Sequence, residues 1–303
     1  MSIKIKKYSL ESIKDTLRFI LSHPLNKNRK LTALLKFIWW QIFSQLPPYE
    51  YVLSYGSKSK LLVRKGMTGA TGNFYCGLHD YNEMFFLLHS LNKDFLFIDV
   101  GSNIGSYSIL TSVETGCEVI CFEPSKPTFN SLIQNIKLNE VEDKIIPYNF
   151  GLSTSEELIE FTTDLGAINH VKLENESNKT EKIKFFRFDD IIKLQKPTIV
   201  KIDVEGFETN VLNGMASSLK NKFLIAIIIE LNFLGKKYGF EDSDIDEKLQ
   251  SSGFNSYTYI PHTREIKPIS FLDNDNIIYI KDLSMLQKRI KTSKKFTVNS
   301  KKI

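Results

Sequence analysis

Alternation of apolar and polar positions divides the chain into short buried strands and amphipathic helices. Residues 95–101, Phe-Leu-Phe-Ile-Asp-Val-Gly, form an almost unbroken apolar run closed by glycine, the pattern of a central parallel strand covered on both faces. The spacing of Ile104, Tyr107, Ser108 and Thr111 predicts a helix over 104–114, stopped at Gly116. A second strand over 118–122 and a helix over 124–138 lead to a third strand over 144–149. Residues 157–161 and 182–188 alternate like an inserted antiparallel pair. Further strands are expected over 198–205, 223–230, 255–260 and 276–280, with a helix over 244–250. Strands alternating with helices define an α/β fold, here a seven-stranded, mostly parallel sheet whose last strand is antiparallel. Ahead of it the pattern predicts a hairpin (49–55 and 61–64, around Gly56, Ser57 and Lys58) and a helix over 80–91. The expected organisation is a helical basic arm (1–46), the hairpin and helix (47–94), the core (95–283) and a lysine-rich, disordered tail (284–303).

The first strand ends in chemistry. Asp99, Gly101, Ser102, Asn103 and Gly105 make a strand-to-helix turn, and glycine there lets backbone approach a ligand closely. The next strand brings Glu123, followed by Pro124, to the same sheet edge, where a carboxylate accepts two hydrogen bonds from a ribose diol. A dinucleotide fingerprint requires G-x-G-x-x-G, yet Asn103 and Ser106 occupy the second and third glycine positions counted from Gly101. Asp99 also opposes a diphosphate and suits an ammonium. These residues therefore point to S-adenosylmethionine, with Gly151 and Leu152, after the third strand, expected beside the adenine.

A second stretch, Lys201-Ile-Asp203-Val-Glu205-Gly206-Phe-Glu208, follows an apolar strand. Period two sets Lys201, Asp203 and Glu205 on one side, and buried charges need partners, so a Lys201 pair with one carboxylate is expected. Glu230, with Asn232 close behind, lies at the neighbouring strand end. Asp203, Glu205 or Glu230 is the expected general base. Carboxylates on adjacent strand ends also leave a Mg²⁺-assisted route open, with the metal-free route preferred.

D-x-G-x-N-x-G at 99–105, F-E-P at 122–124, F-D-D at 188–190 and K-I-D-V-E-G-F-E at 201–208 resemble the FkbM family of S-adenosylmethionine-dependent methyltransferases over about 81–231. The resemblance implies a class I methyltransferase fold and O-methylation of a hydroxyl on a sugar, glycan or secondary metabolite. It implies that Asp99, Gly101, Asn103, Gly105 and Glu123 line the cofactor site and that Asp203 and Glu205 face the transfer site. Gly151 departs from it, since alanine is commoner there. Residues 163–181 match nothing in the family pattern and are expected to form a substrate lid, shaping the pocket together with the loop around 261–268. Two other readings of the same residues are a nicotinamide-dependent sugar oxidoreductase and an inactive S-adenosylmethionine-binding module.

Charge narrows the partners. Residues 1–46 hold nine Lys or Arg against two acids, and 284–303 hold seven against none, so a chain of net +5 has a body of −9 between its ends. An acidic body does not attract a polyanion, which argues against a nucleic-acid substrate. Residues 31–46 are apolar and aromatic behind Lys27, Arg29 and Lys30, but too short and interrupted to span a bilayer, and they do not resemble a signal peptide. They are expected either to pack on the core or on a second subunit, or to lie on an anionic membrane surface. Three cysteines, Cys76, Cys117 and Cys121, have neither disulfide nor zinc spacing and suit a reducing cytoplasm. Among the histidines His170, in the expected lid, is the one to test as a base.

Overall fold

The computed structural model of the chain describes residues 10–44, 46–47, 50–64, 66–270, 276–299 and 301–303. The first nine residues of the basic arm, together with Pro48 and Tyr49, lie outside the described residues.

Two helices, α1 (Leu10–Ser22) and α2 (Lys30–Phe43), precede an antiparallel hairpin of β1 (Glu50–Ser54) and β2 (Lys60–Arg64). Helices α3 (Thr68–Cys76) and α4 (Tyr81–Ser90) lead into β3 (Leu96–Val100), α5 (Ser106–Thr115), β4 (Glu118–Phe122), α6 (Lys126–Leu138) and β5 (Ile145–Tyr148). Then come β6 (Gly151–Ser153), β7 (Glu157–Thr162), β8 (Thr180–Arg187) and the short α7 (Phe188–Ile191). The core closes with β9 (Thr198–Ile202), α8 (Glu208–Asn213), β10 (Leu224–Glu230), α9 (Asp242–Ser251), β11 (Asn255–Ile260), β12 (Glu265–Pro268) and β13 (Asn276–Ile280). Helix α10 (Leu283–Thr292) and the strand pair β14 (Thr297–Val298) and β15 (Lys301–Lys302) follow.

The main sheet has the order β12-β11-β13-β10-β9-β3-β4-β5. The strands from β5 to β10 run parallel, and β13 is antiparallel to both its neighbours. Among the described residues it therefore has eight strands, not the seven expected. The extra one is β12, which pairs antiparallel with β11 beyond a tight turn carrying Arg264 at φ +57°. Its sequence, Glu-Ile-Lys-Pro, is polar and proline-ended, so no strand pattern announces it.

Alternation along the central strands assigns the two faces. Leu96, Ile98 and Val100 join Val200 and Ile202 in a core packed under α8 and α9, whereas Phe97 and Ile199 join the core formed with the N-terminal helices, α4 and α5. That second core reaches from Ile20 to Ile303, so the arm, hairpin and tail share it. The expected disordered tail is ordered. Leu286, Ile290, Phe296, Val298 and Ile303 are buried, because basic residues on a helix hide the apolar positions spaced between them. The strand expected over 198–205 stops at Ile202, and its neighbour β3 is flanked by β4 and β9, which puts the topological switch point at their carboxyl ends.

Candidate functional site

A pocket opens at that switch point. Its base is the turn after β3, where Gly101 has φ +81° and a Cβ would lie 1.9 Å from the Asp203 carbonyl oxygen. Only glycine lets the β3 and β9 loops meet this closely. Asn103 follows in the left-handed region, φ 52°, with its own side chain accepting a hydrogen bond from the Ile104 N–H at 2.8 Å.

Glu123, at the end of β4, lines the pocket and is 7% exposed. Its carboxylate accepts N–H bonds from Asn103 (3.0 Å) and Ser125 (2.8 Å). A carboxylate offers about four lone-pair positions, so acceptor capacity remains. Burial, only partly offset by these bonds, pushes Glu123 up to about 7. Pro124, Gly151 and Leu152 line the same end. At Gly151 a Cβ would fall 2.1 Å from the Phe185 ring, so here a phenylalanine fills the volume that an alanine would need.

Three of the expected cofactor residues do not reach the pocket. Asp99 alternates onto the opposite face, where it is buried and accepts a 2.6 Å bond from the Ser108 hydroxyl. Burial raises it, against the pull of Lys201, which occupies the paired position on β9. Ser102 is turned back to the Phe122 carbonyl at 3.3 Å. Gly105, φ +91°, serves helix packing: a Cβ would come 2.6 Å from Leu132 of α6.

The second motif resolves into separate tasks. Lys201 stays on the β9 face that alternation assigns, fully inside, with its ammonium 2.6 Å from Asp203 and 4.6 Å from the centre of the Tyr107 ring. Burial opposes its charge, but Asp203 and Asp99 outweigh that and raise it. Tyr107 donates in turn to Asp80 at 2.7 Å, and His79 stands 3.0 Å from the same carboxylate. Asp203 and Glu205 lie beyond the strand in a loop, not on one strand face as expected, and both line the pocket. Glu205 has φ 57°; burial and then the Asp203 charge push it up to about 7. Gly206 (φ +102°) turns the chain against Leu234, and Glu208 accepts the Val204 N–H at 3.0 Å and the Gly206 N–H at 3.2 Å, bracing the loop. Glu230 is not among the lining residues. Burial, and then the nearby Asp203 carboxylate, raise its pKa.

The roof takes in part of the lid expected over 163–181, together with strands whose pairing the sequence showed but whose place over the pocket it did not. Strands β6, β8 and β7 form a separate three-stranded sheet that presents Phe161 and Phe185 to the pocket, and Ile168, Asn169 and Val171 close it from the segment between β7 and β8. The alternation of 157–161 and 182–188 shows the hairpin but not what lies under it. The loop after Pro261 belongs to the far edge of the main sheet and takes no part. His170 is not free for proton transfer, since its ring nitrogens face the Ile168 carbonyl at 2.8 Å and Glu176 at 2.9 Å. Asp189 of the F-D-D motif anchors α7, accepting from Ser217 (2.6 Å) and Ser218 (3.0 Å). Among the described residues no group of three or more His, Cys, Asp or Glu is arranged to hold a metal ion.

An open, mostly parallel sheet with antiparallel β13 inserted between β10 and β11, and a carboxylate-flanked pocket at its switch point, defines a Rossmann-like α/β protein of the class I methyltransferase type. The chain belongs to the FkbM methyltransferase-domain family, whose model matches residues 99–256. It is 35% identical over 147 residues to the hexuronic acid methyltransferase AglP of Haloferax volcanii, a match covering 47% of this chain and 59% of that protein. The chain thus spans a little over half the length of this curated relative. Similar solved structures include a precorrin-6y C5,15-methyltransferase from Geobacter metallireducens (11% identity, 67% of this chain and 87% of that one, TM-score 0.37). An rRNA methylase from Streptococcus thermophilus is comparable (13% identity, 66% and 93%, TM-score 0.37).

Proposed function

We propose that the protein is an S-adenosylmethionine-dependent O-methyltransferase acting on a sugar or glycan hydroxyl. The observation that carries this reading is the hydrogen bond from the Asn103 N–H to Glu123. In a dinucleotide site the backbone N–H groups of this turn are directed at a pyrophosphate. Here one of them is already held by a carboxylate, and a diphosphate would meet that negative charge.

The residues fit a sulfonium nucleoside. Glu123 keeps acceptor capacity for a ribose diol, Pro124, Gly151 and Leu152 would flank the adenine, and the Gly101 turn would approach the amino-acid end. When bound, S-adenosylmethionine supplies a methyl group activated for nucleophilic attack. Within the chain, Lys201 pairs with Asp203 and holds it in place, while Glu205 lines the pocket beside it. Glu205 is the base in this proposal: its proton affinity near neutrality suits removal of a hydroxyl proton. The aromatic roof excludes water and restricts the acceptor's approach.

The hexuronic acid specificity in the name of the archaeal relative makes a sugar acid the first acceptor to try. Three buried, unpaired cysteines suit the reducing cytoplasm assigned here, and the acidic body disfavours nucleic acid. The test is titration calorimetry with S-adenosylhomocysteine and with NADH, followed by mass spectrometry of sugars incubated with labelled donor. Binding of S-adenosylhomocysteine with label in a sugar supports the proposal; NADH binding alone returns the chain to oxidoreductase chemistry, and binding without transfer to any acceptor makes it an inactive module.

A further inference from the structure

Helix α2 has a buried flank and an uncovered one. Ala33 and Trp40 are buried, whereas Leu31, Leu35, Ile38 and Ile42 are 71, 57, 46 and 53% exposed. Spaced by four, three and four residues, these side chains draw one line along the helix, about 16 Å long at 1.5 Å per residue. Trp39 on the same helix and Val52 on β1, 37 and 56% exposed, extend the apolar area. Contiguous apolar surface of this kind marks an interaction site.

Charge at one end of the line indicates the occupant. Lys27, Arg29 and Lys30 are exposed just before and at the start of α2, and no Asp or Glu occurs between residues 16 and 49. The fold adds more cations from the other end of the chain. Arg29 donates to the Asn299 carbonyl at 2.7 Å, and Lys301 donates to the Pro24 carbonyl at 3.0 Å, so the two basic segments that the sequence keeps far apart converge here. A pair of identical surfaces would bring two such cation clusters and no acid from this stretch to neutralise them. A sheet of anionic headgroups supplies that neutralisation over an apolar interior.

We propose that α2 docks flat on an anionic lipid bilayer, with Leu31, Leu35, Ile38, Trp39 and Ile42 in the headgroup boundary and Lys27, Arg29, Lys30 and Lys301 on lipid phosphates. No helix among the described residues is long and apolar enough to cross a membrane, so this contact lies on the surface. The inference stands apart from the reaction proposed above, because none of these residues lines the pocket.

The test is flotation of the full chain with vesicles of phosphatidylcholine alone and of phosphatidylcholine mixed with phosphatidylglycerol. The expected result is binding to the mixed vesicles only, weakened by salt, with tryptophan emission moving to shorter wavelength. Leu35→Glu with Ile38→Glu should abolish binding, and Lys27→Ala and Lys30→Ala should each weaken it about fivefold. Unchanged circular dichroism and thermal unfolding certify that the variants fold. Failure of the wild-type chain to bind the mixed vesicles overturns the proposal, as does equal binding by the double variant. So does a dimer in sedimentation velocity that the double variant dissociates, since the face would then belong to a second copy.

Discussion

Glu123 and Glu205 face the pocket with proton affinities near neutrality for the same primary reason, burial, but they differ in what already holds them. Glu123 is fixed by two backbone N–H groups and can only gain from a donor that arrives with a ligand. Binding to its ionised form should therefore release a proton. Affinity for S-adenosylhomocysteine is expected to rise about tenfold between pH 6 and pH 8, as the ionised fraction does for a group titrating near 7. Glu123→Gln should flatten that profile in calorimetry, and Glu123→Ala should weaken binding by about 1.5–3 kcal/mol. In the ligand-free protein both groups act in the opposite sense to ordinary salt-bridged carboxylates. Their folded values of about 7 exceed the ordinary 4.5, so the native state binds protons more tightly and their contribution to stability is lost as pH rises from 4.5 through 7. Glu205→Gln should lower kcat by about 10²- to 10⁴-fold while leaving the affinity for S-adenosylhomocysteine within a few-fold, measured by single-turnover transfer and calorimetry. At this scale the sequence was readable where a residue's role depends on its neighbours in the chain. Gly101 and Glu123 lie where the strand-end reasoning put them. Alternation, applied to the strand of Asp99 as well as to the one carrying Lys201, pairs these two residues in the sheet.

The elements show how one buried cation organises several segments. Lys201 on β9 joins Asp203 in the following loop, the Tyr107 ring on α5 and, through Tyr107, Asp80 just before α4. Removing it leaves buried carboxylates without their counter-charge, so Lys201→Met should cost about 3–5 kcal/mol in urea unfolding, although the methionine occupies similar volume. Gly151→Ala tests a different kind of fit. The added methyl collides with Phe185 of β8, and thermal unfolding should fall until Phe185→Leu restores space. Strands with regular alternation were legible, including β7 and β8. The strand β12 and the end of β9 were not: the first is set by pairing in space, and the second by a loop in which Glu205 adopts a left-handed backbone that no periodicity reveals.

In the molecule as a whole, the tail is the clearest departure from expectation. Composition reads α10 and its following strands as a solvated basic tract, yet Leu286 and Ile290 are buried and Arg289 donates to the Leu91 carbonyl at 2.8 Å. Net charge describes the outer face of such a segment and is silent about the inner one. Truncation before residue 283 should uncover the α4 side of the core and lower the unfolding midpoint by several degrees or more, read by calorimetry. The pocket combines two kinds of wall. Its base belongs to the main sheet, whereas its roof hangs from the β7–β8 hairpin, whose outer strand is mostly exposed over its first four residues. In the proposed reaction, release of the spent nucleoside would be eased by an outward swing of this hairpin against solvent drag. The catalytic cycle should therefore slow as viscogen is added, with the chemical step measured in a single turnover unaffected.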